Sequence, residues 1–266
     1  MPHVLSRTLP LAIVLPLLAL SITACDIVTA DLKTSATAEW RKSYSLQPGG
    51  RVEISNVNGK IEVEPSSGNT VEVIAQKTAR GATDEAAKQA LERIEISESS
   101  SPSSVRIETK VQRAGGWFEG GHTQVRYTVR VPSGADLKLS TVNGGIELSG
   151  LKGRVSAETT NGGITARNVA GTVEASTTNG GVDVELTQLG EGGAKLECTN
   201  GGIRLRLPSD AKATISASVT NGGIDTGGLQ LETIESTRRK LEARLNGGGA
   251  PIRIEGTNGG IRIAAR

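Results

Sequence analysis

Aromatic residues are scarce in this chain: Trp40, Tyr44, Trp117, Phe118 and Tyr127 are the five in 266 residues. A thick globular centre normally draws on large rings, so any core here must be built from Ile, Val, Leu and Ala, which suits thin layers. Cysteine is just as scarce, with Cys25 and Cys198 alone, too few for a disulfide framework. The two histidines are His3 and His122, far apart in sequence, and neither belongs to a ligand or nucleophile pattern. Charge of one sign is missing too: 30 basic against 28 acidic residues give a formal +2, which makes no case for a nucleic-acid partner. Phosphate-binding glycine loops and nucleophile elbows are absent, because the glycines punctuate strand patterns and open no helix. The expectation is a protein without metal or cofactor, and not an enzyme.

The only long apolar run lies at the start. Leu9 to Leu20 is interrupted by Pro10 and Pro16 and is followed by Ile22-Thr23-Ala24-Cys25. The run is too short and too broken for a good spanning helix. The tetrapeptide resembles a bacterial lipobox, which implies a signal peptide over 1–24 and lipidation of Cys25. Acyl chains bury about 0.8 kcal/mol per methylene, enough together to hold a protein on a membrane without a spanning segment. Residues 25–39 then read as a lipid-anchored tether and 40–266 as the folded domain. A lipidated Cys25 cannot pair with Cys198, which reads as a small buried residue.

Repetition is what the chain has in abundance. Asn-Gly recurs at Asn58, Asn143, Asn161, Asn179, Asn200, Asn221, Asn246 and Asn258, with steps of 18, 18, 21 and 21 residues between 143 and 221. Around each of these Asn residues except Asn246, apolar residues stand at six and four positions before and at three and five after, with polar residues between them; Thr226 is the single departure. Period-two alternation on both sides of a turn means two strands, each with a dry and a wet face. Asn-Gly suits the corner because both residues tolerate positive φ, and the second glycine of Asn-Gly-Gly is expected to add freedom to reverse the chain.

Two architectures satisfy this pattern. One is a β-solenoid, a single-stranded parallel β-helix of Asn-Gly-Gly coils; the other is an antiparallel β-meander of hairpins. The near-constant step favours the solenoid, in which Asn143, Asn161, Asn179, Asn200 and Asn221 form an amide ladder about 4.8 Å apart, with Asn58 and Asn258 at matching corners. Between Asn58 and Asn143 the pattern loosens. Val71 to Ile74, Ser104 to Val111 and Val125 to Val131 read as strands. Thr83 reads as the cap of one short helix, with Asp84 and Glu85 in its first turn, Arg93 in its last, and Ala87, Ala90, Leu91 and Ile94 as its apolar stripe. Residues 228–250 form a second interruption with the basic cluster Thr237-Arg238-Arg239-Lys240.

The Asn-Gly-Gly-Ile rungs, the early Val52-Glu53-Ile54-Ser55-Asn56-Val57-Asn58-Gly59, the helix near 84–94 and the segment Val125 to Pro132 together resemble a family of bacterial envelope proteins with β-strand repeats. The family carries the provisional name of adhesins, and the resemblance spans residues 40–266. It implies a fold and an envelope location; it does not imply an activity.

Candidate chemistry is thin. Asp183 and Asp225 share an outward column with Glu147, Arg204 and Arg262, which suits a solvated ladder of cross-rung pairs better than a polysaccharide-cleaving site. An outward column of Thr160, Thr178, Thr199, Thr220 and Thr257 is accounted for by β-propensity. Trp117 and Phe118, between glycine pairs, are either a contact loop for lipid, glycan or protein, or a cover for a sheet edge. The sequence therefore predicts a non-enzymatic, lipid-anchored envelope protein presenting a solenoid surface for adhesion or envelope assembly. Its partners would be the membrane, through the lipid, and an envelope protein or glycan. The alternatives are a polysaccharide-active β-helix enzyme and an envelope-stress or signalling partner.

Overall fold

The computed structural model describes residues 34–112 and 122–266. Cys25, Trp117 and Phe118 lie outside the described residues. The elements in chain order are β1 (Thr34–Ser45), β2 (Arg51–Ser55), β3 (Ile61–Ser66), β4 (Thr70–Gly81), α1 (Asp84–Glu92), β5 (Ile94–Ser101), β6 (Ser104–Val111) and β7 (Thr123–Pro132). Then come β8 (Asp136–Asn143), β9 (Ile146–Ser149), β10 (Val155–Asn161), β11 (Ile164–Asn179), β12 (Val182–Asn200) and β13 (Ile203–Leu207). The chain ends with β14 (Ala213–Asn221), β15 (Ile224–Asp225), β16 (Leu231–Ser236), β17 (Lys240–Leu245), β18 (Ala250–Asn258) and β19 (Ile261–Ala265). All strands belong to one solenoid-like sheet, so the protein is all-β with a single helix among the described residues.

Parallel, in-register pairing builds the middle. Val155 lies between Leu137 and Val173, Ile164 between Ile146 and Val182, and Asn161 between Asn143 and Asn179. Each rung contributes one strand before its Asn-Gly-Gly corner and one after it, and like residues stack on like. The inward columns are dry: Ile146, Ile164, Val182 and Ile203 are at most 1% exposed. Ala157, Ala166 and Ala175 keep the centre thin, as the shortage of rings requires.

Stacking order departs from chain order at both ends. Asn200 pairs with Asn258, and Asn258 with Asn221, so β18 and β19 slide between the rung of β12–β13 and that of β14–β15. The expected direct contact of Asn200 with Asn221 does not form. Chemically identical corners make every rung an acceptable neighbour for every other, so the pattern that identifies the rungs cannot rank them. The 37-residue step from Asn221 to Asn258 is the trace of the detour. At the other end β2 and β3 lie between β8–β9 and an outermost rung of β6–β7. The rung nearest each chain terminus is thereby clamped on both edges, where a terminal rung would fray.

Antiparallel pieces finish the sheet. β5 pairs with β6, β4 with β7, and β1 with β4 along all twelve of its residues, from Thr34↔Gly81 to Ser45↔Thr70. The strand therefore starts inside the stretch read as tether. The Thr83 hydroxyl accepts from the Ala86 N–H to cap α1, Ala87 and Ala90 are buried, and Arg93 is the C-cap, one step beyond the last turn in which it was expected. At the opposite end the 228–250 interruption is the hairpin β16–β17, and β17 covers β14 antiparallel through Leu241, Ala243 and Leu245. Asn246 has φ 51° and follows β17 in a turn, off the ladder.

Candidate functional site

Every Asn of the ladder but Asn58 donates from Nδ2 to Oδ1 of the Asn on the same neighbouring side. Asn143 reaches Asn58 at 2.8 Å, Asn161 reaches Asn143 at 2.8 Å, and Asn179 reaches Asn161 at 2.9 Å. Beyond these, Asn200 reaches Asn179 at 2.9 Å, Asn258 reaches Asn200 at 2.8 Å, and Asn221 reaches Asn258 at 2.9 Å. Asn58, at the donor end, gives its own N–H to the Thr123 carbonyl at 3.2 Å. Seven side-chain amides thus align head to tail, and aligned hydrogen-bonded dipoles polarise one another.

The two glycines of each Asn-Gly-Gly corner do different work. The first, as at Gly162 (φ 155°), sits on the Gly144 carbonyl of the rung below, so closely that an added Cβ would lie 2.1 Å from that oxygen. The second, as at Gly181, has no left-handed φ, and its Cβ would meet the Gly202 carbonyl at an ordinary 3.4 Å. The second glycine is therefore not what lets the chain reverse, contrary to the expectation from sequence. It leaves the outer surface low.

Gly163, Gly181, Gly202, Gly260 and Gly223 form the floor of a groove of about 670 Å³ running across the rungs. One wall is the column Thr165, Asp183, Arg204, Arg262 and Asp225. Lys60 occupies the floor position two rungs beyond Gly163 and stops the groove there, pairing with Glu62 at 2.6 Å and Glu147 at 2.7 Å. Those two carboxylates, Glu147 first, hold the Lys60 ammonium above the usual lysine range. At the other end the Arg238 carbonyl, which accepts from Ile224 N–H, closes the floor beside Gly223.

The wall is electrostatically uneven. Arg206 holds Asp183 at 2.8 Å and Glu185 at 3.3 Å, and Arg262 lies 3.6 Å from Asp225. Arg204 sits between Asp183 and Arg262 and pairs with no carboxylate among the described residues. Asp183 and Asp225 stand three rung spacings apart, about 14 Å at roughly 4.8 Å per strand. That is wider than the ~5–9.5 Å at which two carboxylates cooperate on a glycosidic bond. No group of three or more His, Cys, Asp or Glu side chains suited to a metal ion occurs among the described residues.

A second, inward column carries hydrogen bonds that the repeat spacing alone does not assign. At three corners the residue two before the Asn satisfies a glycine carbonyl of the neighbouring rung: Thr159 Oγ1 donates to Gly144 at 2.9 Å, Thr177 Oγ1 to Gly162 at 2.8 Å, and the Cys198 thiol to Gly180 at 3.1 Å. The repeated Thr-Thr-Asn-Gly-Gly at 159–163 and 177–181 was its signal. Burial pushes the Cys198 thiol up, so it stays protonated and serves as a donor, not a nucleophile. Asn56 fills the same place in its rung, donating to the carbonyls of Gly59 and Val125. Tyr127 and Thr109 hydroxyls meet at 2.6 Å inside the outermost rung, and burial pushes the Tyr127 phenol up to about 12. The Thr160, Thr178, Thr199, Thr220 and Thr257 column faces solvent.

No curated protein sequence matches the chain. It is similar to the crystal structure of a provisionally named cell adhesion protein from Clostridium sporogenes ATCC 15579, at 14% identity and a TM-score of 0.47, over 86% of this chain and 100% of that one. It is also similar to a provisionally named adhesin from Bacteroides fragilis NCTC 9343, at 10% identity and a TM-score of 0.30, over 86% and 97% of the two chains. A third similar structure, from Parabacteroides distasonis ATCC 8503, is provisionally named a lipid binding protein, at 10% identity and a TM-score of 0.26, over 84% and 96%. Residues 42–264 match the Toastrack model, DUF4097, a span that holds all seven corners of the amide ladder: the chain belongs to the Toastrack DUF4097 family.

Proposed function

We propose that the protein is a non-enzymatic, lipid-anchored component of the cell envelope, a single-stranded parallel β-helix of Asn-Gly-Gly coils whose outer groove holds an extended partner in adhesion or envelope assembly. The observation that carries this reading is the groove: a flat backbone floor, an aligned amide ladder beside it, and a charged wall with one unpaired guanidinium, all on a frame fixed by stacking. A rigid, pre-ordered surface loses little conformational entropy when a chain is laid along it. Lipidation of Cys25 would hold this face at a membrane, and no helix among the described residues is long and apolar enough to cross one.

Filling the groove tests the proposal. Gly181→Leu with Gly202→Leu places side chains outward where the neighbouring carbonyls leave room of 3.4 and 3.5 Å at the Cβ. The intact lipoprotein should capture a protein or glycan from envelope extracts, and the double variant should lose it at an unchanged thermal midpoint. Equal capture by both forms would refute the groove as the binding face.

A further inference from the structure

The donor end of the amide ladder opens into a second recess, of about 600 Å³, on the outer face where β4 and β7 meet. Arg80, His122, Gln124, Thr78, Asn58 and Asn143 line it, and no carboxylate among the described residues does. Arg80 is exposed and makes no ion pair with a described carboxylate. Its backbone N–H donates to the His122 carbonyl at 3.0 Å, which fixes the two side chains at one strand end. The acidic first turn of α1, Asp84 and Glu85, belongs to the opposite face: α1 packs where Ala79 and Gly81 are buried, and strand alternation turns Arg80 the other way. The seven aligned amides all direct their N–H ends toward this recess, adding positive potential without a formal charge. A guanidinium, an imidazole, amide N–H groups and a hydroxyl, with no competing carboxylate among the described residues, make up the chemistry that recognises a phosphate oxygen.

The position of the recess selects the source. Ser35 is the strand partner of Arg80 and Thr34 that of Gly81, so the recess lies at the end where the described chain begins. Eight residues separate Cys25 from Thr34, a reach of at most about 30 Å even fully extended. We infer that this recess binds the headgroup phosphate of an anionic membrane lipid, docking the Thr34 end of the fold on the surface that the Cys25 lipid enters. The inference rests on the proposed anchor for its choice of lipid over free phosphate; the recess itself does not depend on it.

His122 offers a direct readout, since His3 is the only other histidine in the chain. The full chain is placed in nanodiscs of phosphatidylcholine with or without phosphatidylglycerol, and the His122 imidazole resonances are followed by NMR. In parallel, inorganic phosphate is titrated into the protein in neutral detergent. The expected result is a His122 shift that grows with phosphatidylglycerol, and Arg80→Gln weakening it about tenfold with an unchanged thermal midpoint. Arg204→Gln, on the distant groove wall, should leave it unchanged. A response to inorganic phosphate with none to phosphatidylglycerol would overturn the lipid assignment, and silence toward both would overturn the phosphate site. The mass of the Cys25 peptide is measured separately: an unmodified Cys25 removes the anchor without altering how the phosphate titration is read.

Discussion

The middle of the sheet and its two ends are built on opposite rules. Between Asn58 and Asn221 every rung repeats the same few side chains in the same register, and each new rung satisfies the edge of the last with parallel pairing. At the ends the pairing turns antiparallel, the residues cease to repeat, and single-use pieces do the work: β1, β4, β5 and α1 at one end, β16 and β17 at the other. A repeat can propagate but cannot stop itself, because its last edge is as sticky as every other. Termination therefore takes segments whose sequence breaks the pattern, and in those segments a substitution should act locally.

The sharpest break is Ile164→Asp. It buries an unpaired carboxylate in the inward column, and leaving such a charge uncompensated costs about 4 kcal/mol. The thermal midpoint of the whole domain should collapse, and an unchanged midpoint would mean the column is not a shared core. Gly162→Ala comes next, at about 3 kcal/mol, since the methyl group meets the Gly144 oxygen in a left-handed backbone where alanine is already strained. Gly181→Ala, one residue type and one corner away, should stay within about 0.5 kcal/mol. Leu241→Ala removes a buried side chain from the end hairpin and costs about 2–3 kcal/mol. Hydrogen exchange should then open residues 231–245 while the amides of β10 and β11 keep their protection; uniform loss would erase the distinction between middle and end.

Smaller effects sharpen the same contrast. Thr177→Val deletes the hydroxyl that satisfies the Gly162 carbonyl and should cost about 1–2 kcal/mol in chemical denaturation. Glu53 bridges three rungs near the N-terminal end, reaching Arg106 at 2.6 Å and Lys138 at 3.3 Å. The Arg106 guanidinium, ahead of the opposing effect of burial and then with help from Lys138, holds its carboxyl below the usual range. Its folded pKa being the lower one, the stabilisation is present above the unfolded value of about 4.3 and disappears as pH falls through the folded value. Glu53→Gln should cost about 0.5–1 kcal/mol at neutral pH and nothing in strong acid, as followed by denaturation across pH.

Much of the middle was legible because period-two alternation and the Asn-Gly-Gly corner are local signals. Val155, Ala157, Ile164 and Ala166 could be assigned inward from spacing alone, and they are buried. The inward direction of Thr159 and Thr177 was equally local, since Thr160 and Thr178 face out, but the glycine carbonyls they bond belong to neighbouring rungs that only the stacking brings within reach. The recess at Arg80 and His122 had no sequence signature, since it joins residues 42 apart through antiparallel pairing of β4 with β7.

By itself the sequence determined the rung, its two faces and its corner, for these follow from backbone stereochemistry and from which side chains tolerate water. Only the tertiary structure decided the order in which the rungs stack, with β18–β19 slipped inside β14–β15 and β2–β3 inside β6–β7. Seven nearly identical corner amides can bond to one another in any sequence, so their local energies cannot choose among orders. What breaks the tie is the need to protect the edges, and an edge exists only once the whole sheet has formed.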